Sequence, residues 1–153
     1  MILKNNLHIK EAQTEDIPAL VVLLKQLFAI EKDFTFDYDK HARALKMLIE
    51  DEHCVVAVGF FEEELIAMLT MQTVISTAIG AKSGLIEDFV VDENYKHMGV
   101  GSHLLHYMKQ QAHDKGFKRL QLVCDNFNEN AQEFYSKKEF VKSNLTAWYL
   151  QTE

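Results

Sequence analysis

Glu87-Asp88-Phe89-Val90-Val91-Asp92-Glu93-Asn94-Tyr95-Lys96-His97-Met98-Gly99-Val100-Gly101-Ser102 runs strand, turn, glycine loop, helix. Leu85 to Val91 is an apolar run of strand length, bounded by Asp92, Glu93 and Asn94. Gly99 then opens a helix with Leu104, Leu105, Met108 and Ala112 on one face, and Gly116 stands where such a helix closes. Glycines at 99 and 101 leave out side chains where a ligand must approach the backbone closely. The N–H groups at a helix start point at that ligand, and the helix dipole favours negative charge there. The expectation is a phosphate or pyrophosphate site, with Lys96 adding a cation. A bare Gly-x-Gly also occurs in helix entries that bind nothing. Two nucleotide signatures are absent. GxxxxGK[ST] does not occur, and the dinucleotide fingerprint needs glycine at Leu104 and a place after the first strand of a βαβ unit.

Upstream, His8 to Gln13 reads as a first strand. Thr14 is expected to cap a helix with Glu15 and Asp16 in its first turn and Pro18 close behind. Ile17, Leu20, Val21, Leu24, Leu27 and Phe28 recur at helical spacing. Acids and aromatics from Asp33 to Asp39 break that pattern, and a second helix follows, expected to bury Ala42, Leu45, Leu48 and Ile49. Cys54 to Phe61 and Leu65 to Ile75 then form a hairpin about the polar turn Glu62 to Glu64, with a loop from Ser76 to Ser83. Downstream, Arg119 to Cys124 reads as a strand, Asn126 to Asn130 as a loop and Ala131 to Lys138 as a short helix. Phe140 to Leu150 is expected to hold one or two closing strands. The predicted order is β-α-α-β-β-β-α-β-α-β, an α/β chain of the α+β kind with a mixed sheet.

Composition sets bounds on function. The 153 residues fit a single domain, 1–153, and 48% apolar content is enough for a core. No apolar run approaches the ~20 residues of a membrane span, and Met1 to Lys10 does not read as a secretory signal. Cys54 and Cys124 lie in apolar, strand-like runs and are expected to be buried free thiols, which suits a reducing cytoplasm. A formal net charge of −7 argues against nucleic acid and favours cationic ligands. His103, His106 and His113 share a helix with no carboxylate or thiol to complete a metal set, so no metal is expected. No Gly-x-Ser-x-Gly elbow occurs, and Met68 and Met71 read as core.

Lys96-His97-Met98-Gly99-Val100-Gly101 resembles the coenzyme A-binding motif of the GNAT superfamily of N-acetyltransferases, which is Arg or Gln, two residues, Gly, one residue, then Gly or Ala. Lys96 departs at the first position, keeping the charge and losing a fork of donors. Asn128-Glu129-Asn130-Ala131-Gln132-Glu133-Phe134-Tyr135 resembles the family's downstream Asn-x-x-Ala-x-x-aromatic/Leu-Tyr motif. Glu139 stands where family members usually carry glycine, which suggests a different turn. Glu87-Asp88 before Phe89 looks like the polyamine and small-amine branch.

The resemblance implies a splayed central sheet and a coenzyme A site formed by Phe89, Val90, Val91, Lys96, His97, Met98, Gly99, Val100, Gly101, Ser102, Asn128, Ala131 and Tyr135. It implies direct attack of a small-molecule primary amine on acetyl-CoA in a ternary complex. Backbone N–H groups of Phe89 to Val91 would meet the pantetheine arm and the thioester carbonyl. Tyr135 is the candidate acid for the departing thiolate; a phenol of pKa about 10 makes transfer to a thiol of about 8.5 modestly uphill. Glu87 and Asp88 are candidate bases or substrate anchors, of which strand alternation lets one face the thioester. Phe28, Glu31, Phe34 and Asp88 are candidates for holding the amine, with cation–π contact from the aromatics; a solvated loop with core phenylalanines fits the same residues. Dimerisation is common in the family, and Ala147 to Leu150 is the edge that would serve it. A coenzyme A-binding regulatory module without turnover is the other reading of the same motifs.

Overall fold

The computed structural model describes residues 3–31 and 34–153. Lys32 and Asp33, inside the acidic and aromatic segment noted above, lie outside the described residues. The chain divides into two compact units, residues 1–121 and 122–153.

The first unit opens with α1 (Leu3–Asn6), β1 (Leu7–Glu11) and a 3-10 turn (Thr14–Asp16), followed by α2 (Ile17–Ile30) and α3 (Tyr38–Glu50). β2 (Cys54–Phe61), β3 (Glu64–Ser76) and β4 (Ala81–Val91) form a meander, a 3-10 turn (Glu93–Tyr95) follows, and α4 (Val100–Asp114) leads to β5 (Arg119–Leu122). The sheet order is β1-β2-β3-β4-β5, and β1 to β4 pair antiparallel. β5 is reached from β4 through α4, the connection that parallel neighbours require, so the sheet is mixed.

Alternation along the strands divides the core between two faces. Val56, Val58, Met68 and Val90 pack with Leu20, Val21, Leu23 and Leu24 of α2 and Leu45 of α3. Met71 is three residues from Met68 and so points to the opposite face. α4 buries Val100, Leu104, Leu105, Met108 and Ala112. β4 needs Gly84 for close approach: a Cβ there would sit 2.5 Å from Met71 Sδ and 2.8 Å from Leu120 Cδ2.

Several local expectations are corrected. Thr14 is not a cap: Gln13 is the N-cap of the 3-10 turn, its N–H donating to Asp16 Oδ2 at 2.8 Å and its carbonyl accepting from Asp16 N–H at 2.9 Å, and Asp16 precedes α2 without a side-chain cap bond. In α3 only Leu45 is buried, while Ala42, Leu48 and Ile49 are half-buried. The loop after β3 shrinks to Thr77–Gly80 because Ser76 pairs with Ala81. The first hairpin turn has two residues, with Glu62 at φ +55°, as such tight turns demand. Both thiols are half-buried, Cys54 at the start of β2 and Cys124 beyond the end of β5.

The second unit contains α5 (Glu129–Lys137). No strand is assigned over Phe140 to Leu150, where one or two were expected. A strand requires a ladder partner, and Val141, Leu145 and Trp148 are each close to 90% exposed. The hydrogen bonds there are local: Phe140 N–H to Tyr135 C=O at 3.0 Å and Leu145 N–H to Ser143 Oγ at 3.1 Å.

Candidate functional site

β4 does not run straight through its C-terminal half. Thr70 is paired with Glu87 and Met68 with Val90, so Leu69 alone faces two residues, Asp88 and Phe89. This is a β-bulge, and Asp88 takes a left-handed conformation with φ +50°. Aspartate tolerates that region better than most residues, and such strain collects at functional sites. The simple alternation expected for Glu87 and Asp88 therefore does not hold: the bulge breaks the two-residue period at this point.

Glu87 is exposed and Asp88 half-buried. Thr70, fully buried, donates its hydroxyl hydrogen to the Glu87 carbonyl at 2.9 Å, and its Oγ1 lies 3.4 Å from Asp88 Oδ2. Burial, and after it the neighbouring Glu87 charge, push the Asp88 carboxyl up to about 6, with the Thr70 hydroxyl partly offsetting both. A carboxyl tuned to that range exchanges protons near neutral pH.

Beyond the bulge, Phe89 and Val91 are half-buried and Val90 is buried. β5 has four residues against eleven in β4, and Lys118 N–H bonds Lys82 C=O at 2.9 Å beside its start. β5 thus begins beside the N-terminal part of β4.

The turn into α4 is held from two sides. Gln26 of α2 donates to Asp92 Oδ2 at 2.9 Å and accepts from Glu93 N–H at 3.2 Å. The Tyr95 hydroxyl donates to Glu64 Oε2 at 2.8 Å, and its ring lies 5.6 Å from that of Phe61. Lys96 is half-buried; His97 and Gly99 both adopt positive φ, +63° and +85°. Gly99 is the N-cap of α4, and His103 Nδ1 lies 2.7 Å from its carbonyl. Val100, Gly101 and Ser102 form the first turn, whose N–H groups have no carbonyl one turn earlier to bond. Met98 is exposed. At its other end α4 closes on Gly116 (φ +78°) as expected: Gly116 N–H bonds His113 C=O at 3.1 Å and Phe117 N–H bonds Ala112 C=O at 2.9 Å.

Between α2 and α3, the ring of Phe28 is 5.6 Å from Phe34 and 4.7 Å from His41, and Phe36 is 5.3 Å from His41. Asp37 N–H donates to His41 Nε2 at 2.9 Å, so that nitrogen carries its lone pair. The Lys25 ammonium already lies 5.5 Å above Phe36. Phe34 and Phe36 are partly exposed and form a rim, while Phe28 packs against the core. Glu31 is half-buried at the end of α2.

In the second unit, Asn128 caps α5, its Oδ1 accepting from Ala131 N–H at 3.1 Å. That bond explains the three-residue spacing of the downstream motif. Tyr135 is half-buried, edge-on to Phe134 at 5.4 Å and Phe140 at 5.7 Å. Glu139 has φ +71°, with Glu139 N–H on Ser136 C=O and Phe140 N–H on Tyr135 C=O. This is the αL closure that glycine usually makes, so the expected different turn is not formed; glutamate adopts the glycine geometry.

Sequence reasoning missed Thr70 and Gln26. Neither lies in a motif, and both act across strands and helices far apart in sequence. Shallow concavities of about 120 Å³ and 190 Å³ open around His53 and Lys115 and around Lys109 and Arg119, and neither is lined by a candidate residue.

Residues 22–140 match the model of the Acetyltransferase (GNAT) family. Streptothricin acetyltransferase A of Bacillus subtilis (strain 168) is 39% identical over 57 residues, which is 37% of this chain and 33% of that protein. The aligned part thus spans about a third of the curated relative's length. A possible acetyltransferase from Clostridium difficile 630 superposes with a TM-score of 0.85 at 19% identity, over 96% of this chain and 98% of that one. An aminoglycoside acetyltransferase from an uncultured soil metagenomic sample, in complex with sisomicin, gives 0.81 at 21% identity over 99% of each chain.

Proposed function

The chain belongs to the GNAT acetyltransferase family, and from that premise we propose that it transfers an acetyl group from acetyl-CoA to a primary amine of a small polycationic molecule. The observation that carries this reading is a tuned carboxyl on a strand bulge, one turn of chain before a helix whose start presents unbonded N–H groups. The residues fit the co-substrate's anionic part: the Gly99 cap bends the backbone so that Val100, Gly101 and Ser102 offer donors, and Lys96 adds charge. Acetyl-CoA supplies the activated acyl group as a thioester.

The protein's own residues would handle orientation and protons. Backbone N–H groups of Phe89 to Val91, just beyond the bulge, would hold the carbonyl oxygen as negative charge develops on it. Asp88 takes the proton that the amine releases as its nitrogen bonds to the carbonyl carbon. Tyr135 gives a proton to the sulfur as the C–S bond breaks. Asn128 and Ala131 hold the first turn of α5, on which Tyr135 is carried. The rim of Phe28, Phe34, Phe36 and His41, with Glu31 nearby in sequence, favours a cationic acceptor. The acetyltransferases of streptothricin and of aminoglycosides among the similar proteins suggest the same class of substrate.

The test is thiol release from acetyl-CoA across polyamines, aminoglycosides, streptothricin and simple monoamines. Turnover confined to polycationic amines, lowered at least tenfold by Tyr135→Phe, is the expected result. A flat panel with tight calorimetric binding of acetyl-CoA would favour the coenzyme A-binding module instead.

A further inference from the structure

Thr70 is a fully buried side chain whose hydroxyl contacts the bulge at Asp88. It lies on the face of β3 that carries Met68 and packs beneath α2, in cross-strand register with Glu87. A threonine hydroxyl has one hydrogen and two lone pairs, and it rotates to suit its neighbours. Here two acceptors compete for that hydrogen: the Glu87 carbonyl at 2.9 Å and Asp88 Oδ2 at 3.4 Å.

A base must be stable in two protonation states during each cycle. When Asp88 is ionised, the hydroxyl can turn its hydrogen to the carboxylate. When Asp88 is protonated, its own O–H can donate to Thr70 Oγ1 while Thr70 donates to the Glu87 carbonyl. Both states are then satisfied without movement of the backbone. We propose that Thr70 is a positioning residue whose hydroxyl serves as a two-way rotor for Asp88, holding the bulge and the carboxyl in place through the proton cycle. This rests on the reading of Asp88 as the base.

The electrostatic surroundings leave the hydroxyl a clear share of the control. Among the described residues, burial and the Glu87 charge act to raise the Asp88 carboxyl, and Thr70 is the group that lowers it. Opposite the bulge, β3 presents Met68, Leu69 and Thr70, none of them charged. Lys25, the titratable residue of α2, lies over Phe36, and His103 of α4 is bonded at Gly99; neither bears on Asp88.

The experiment follows the carboxyl carbon of Asp88 by NMR against pH in the free protein, assigned with Asp88→Asn, alongside kinetics. Thr70→Val keeps the shape and deletes the hydroxyl; Thr70→Ser keeps the hydroxyl; Thr70→Ala deletes it a second way should valine unfold the strand. The expected result is an upward move of the Asp88 midpoint in Val or Ala and a near-parental midpoint in Ser. The acid limb of kcat/KM moves the same way, and kcat drops roughly tenfold with KM little changed, on the scale of a lost hydrogen bond to a charged group. An unmoved midpoint in Val overturns the proposal, as does a Ser variant that shifts as far as Val, which would mark a packing role. Full turnover in Asp88→Asn removes Asp88 from the chemistry and the rotor with it, while the acetyltransferase reading stands.

Discussion

Asp88 combines a left-handed backbone, partial burial and a carboxyl pushed up to about 6. An ordinary aspartate sits near 3.9, so the native protein binds more protons than the unfolded chain between about 4 and 6. The sign follows: stability conferred by a protonated Asp88 is present at low pH and is lost as pH rises through the folded value. Asp88→Asn is therefore expected to raise the melting temperature at pH 7.5, with the gain shrinking to nothing near pH 4. Thermal melts at the two pH values decide it, and a gain equal at both would show that charge is not the cause. The same substitution should abolish most of the turnover, the pattern of a site where function is held against stability. Glu139, also at positive φ, closes α5.

At the scale of elements, the start of α4 is set by what surrounds it. Gln26 joins α2 to the turn after β4 with two hydrogen bonds, and Tyr95 joins that turn to the β2–β3 hairpin through Glu64. Gln26→Ala removes the first of these links. A net loss of about 1 kcal/mol is the usual scale for one such bond, and the loop is expected to bind acetyl-CoA roughly fivefold more weakly while β-sheet content is retained. Calorimetric titration measures this; an unaltered affinity would show that the loop is held by its glycine geometry alone. α2 thus does two jobs. Its apolar face builds the core with Met68 and Val90, and its C-terminal half meets both the turn and the Phe28 rim.

For the whole molecule, the net charge of −7 bears on acceptor capture. A negative field draws polycations and is screened by salt. Raising ionic strength from about 0.01 M to about 0.15 M shortens the screening length from about 30 Å to about 8 Å. We expect kcat/KM for a polycationic amine to fall severalfold over that range, while a monoamine changes little. Equal salt dependence for the two would mean that local contacts, not the overall charge, select the acceptor. No helix among the described residues is long and apolar enough to cross a membrane.

The strand, glycine loop and amphipathic helix from Leu85 to Gly116 were determined by local chemistry. Strand runs, glycine at positive φ and a helical apolar stripe depend on neighbours a few residues away, and the structure keeps them as β4, the Gly99 cap and α4. The β2–β3 hairpin was readable for the same reason. Family membership followed from two short motifs, both of which depend on backbone conformation: a cap at Gly99 and a cap at Asn128. The closing strands were not determined that way. Phe140 to Leu150 has the composition of a strand, but pairing is a property of two segments. The bulge at Asp88 was equally hidden, because it arises from a mismatch of register between β3 and β4. Thr70 and Gln26 acquired their roles only when the sheet brought residues 70 and 88, and helix packing brought residues 26 and 92, within hydrogen-bond reach. Short-range conformation is written along the chain; which donor meets which acceptor across it is decided by tertiary packing.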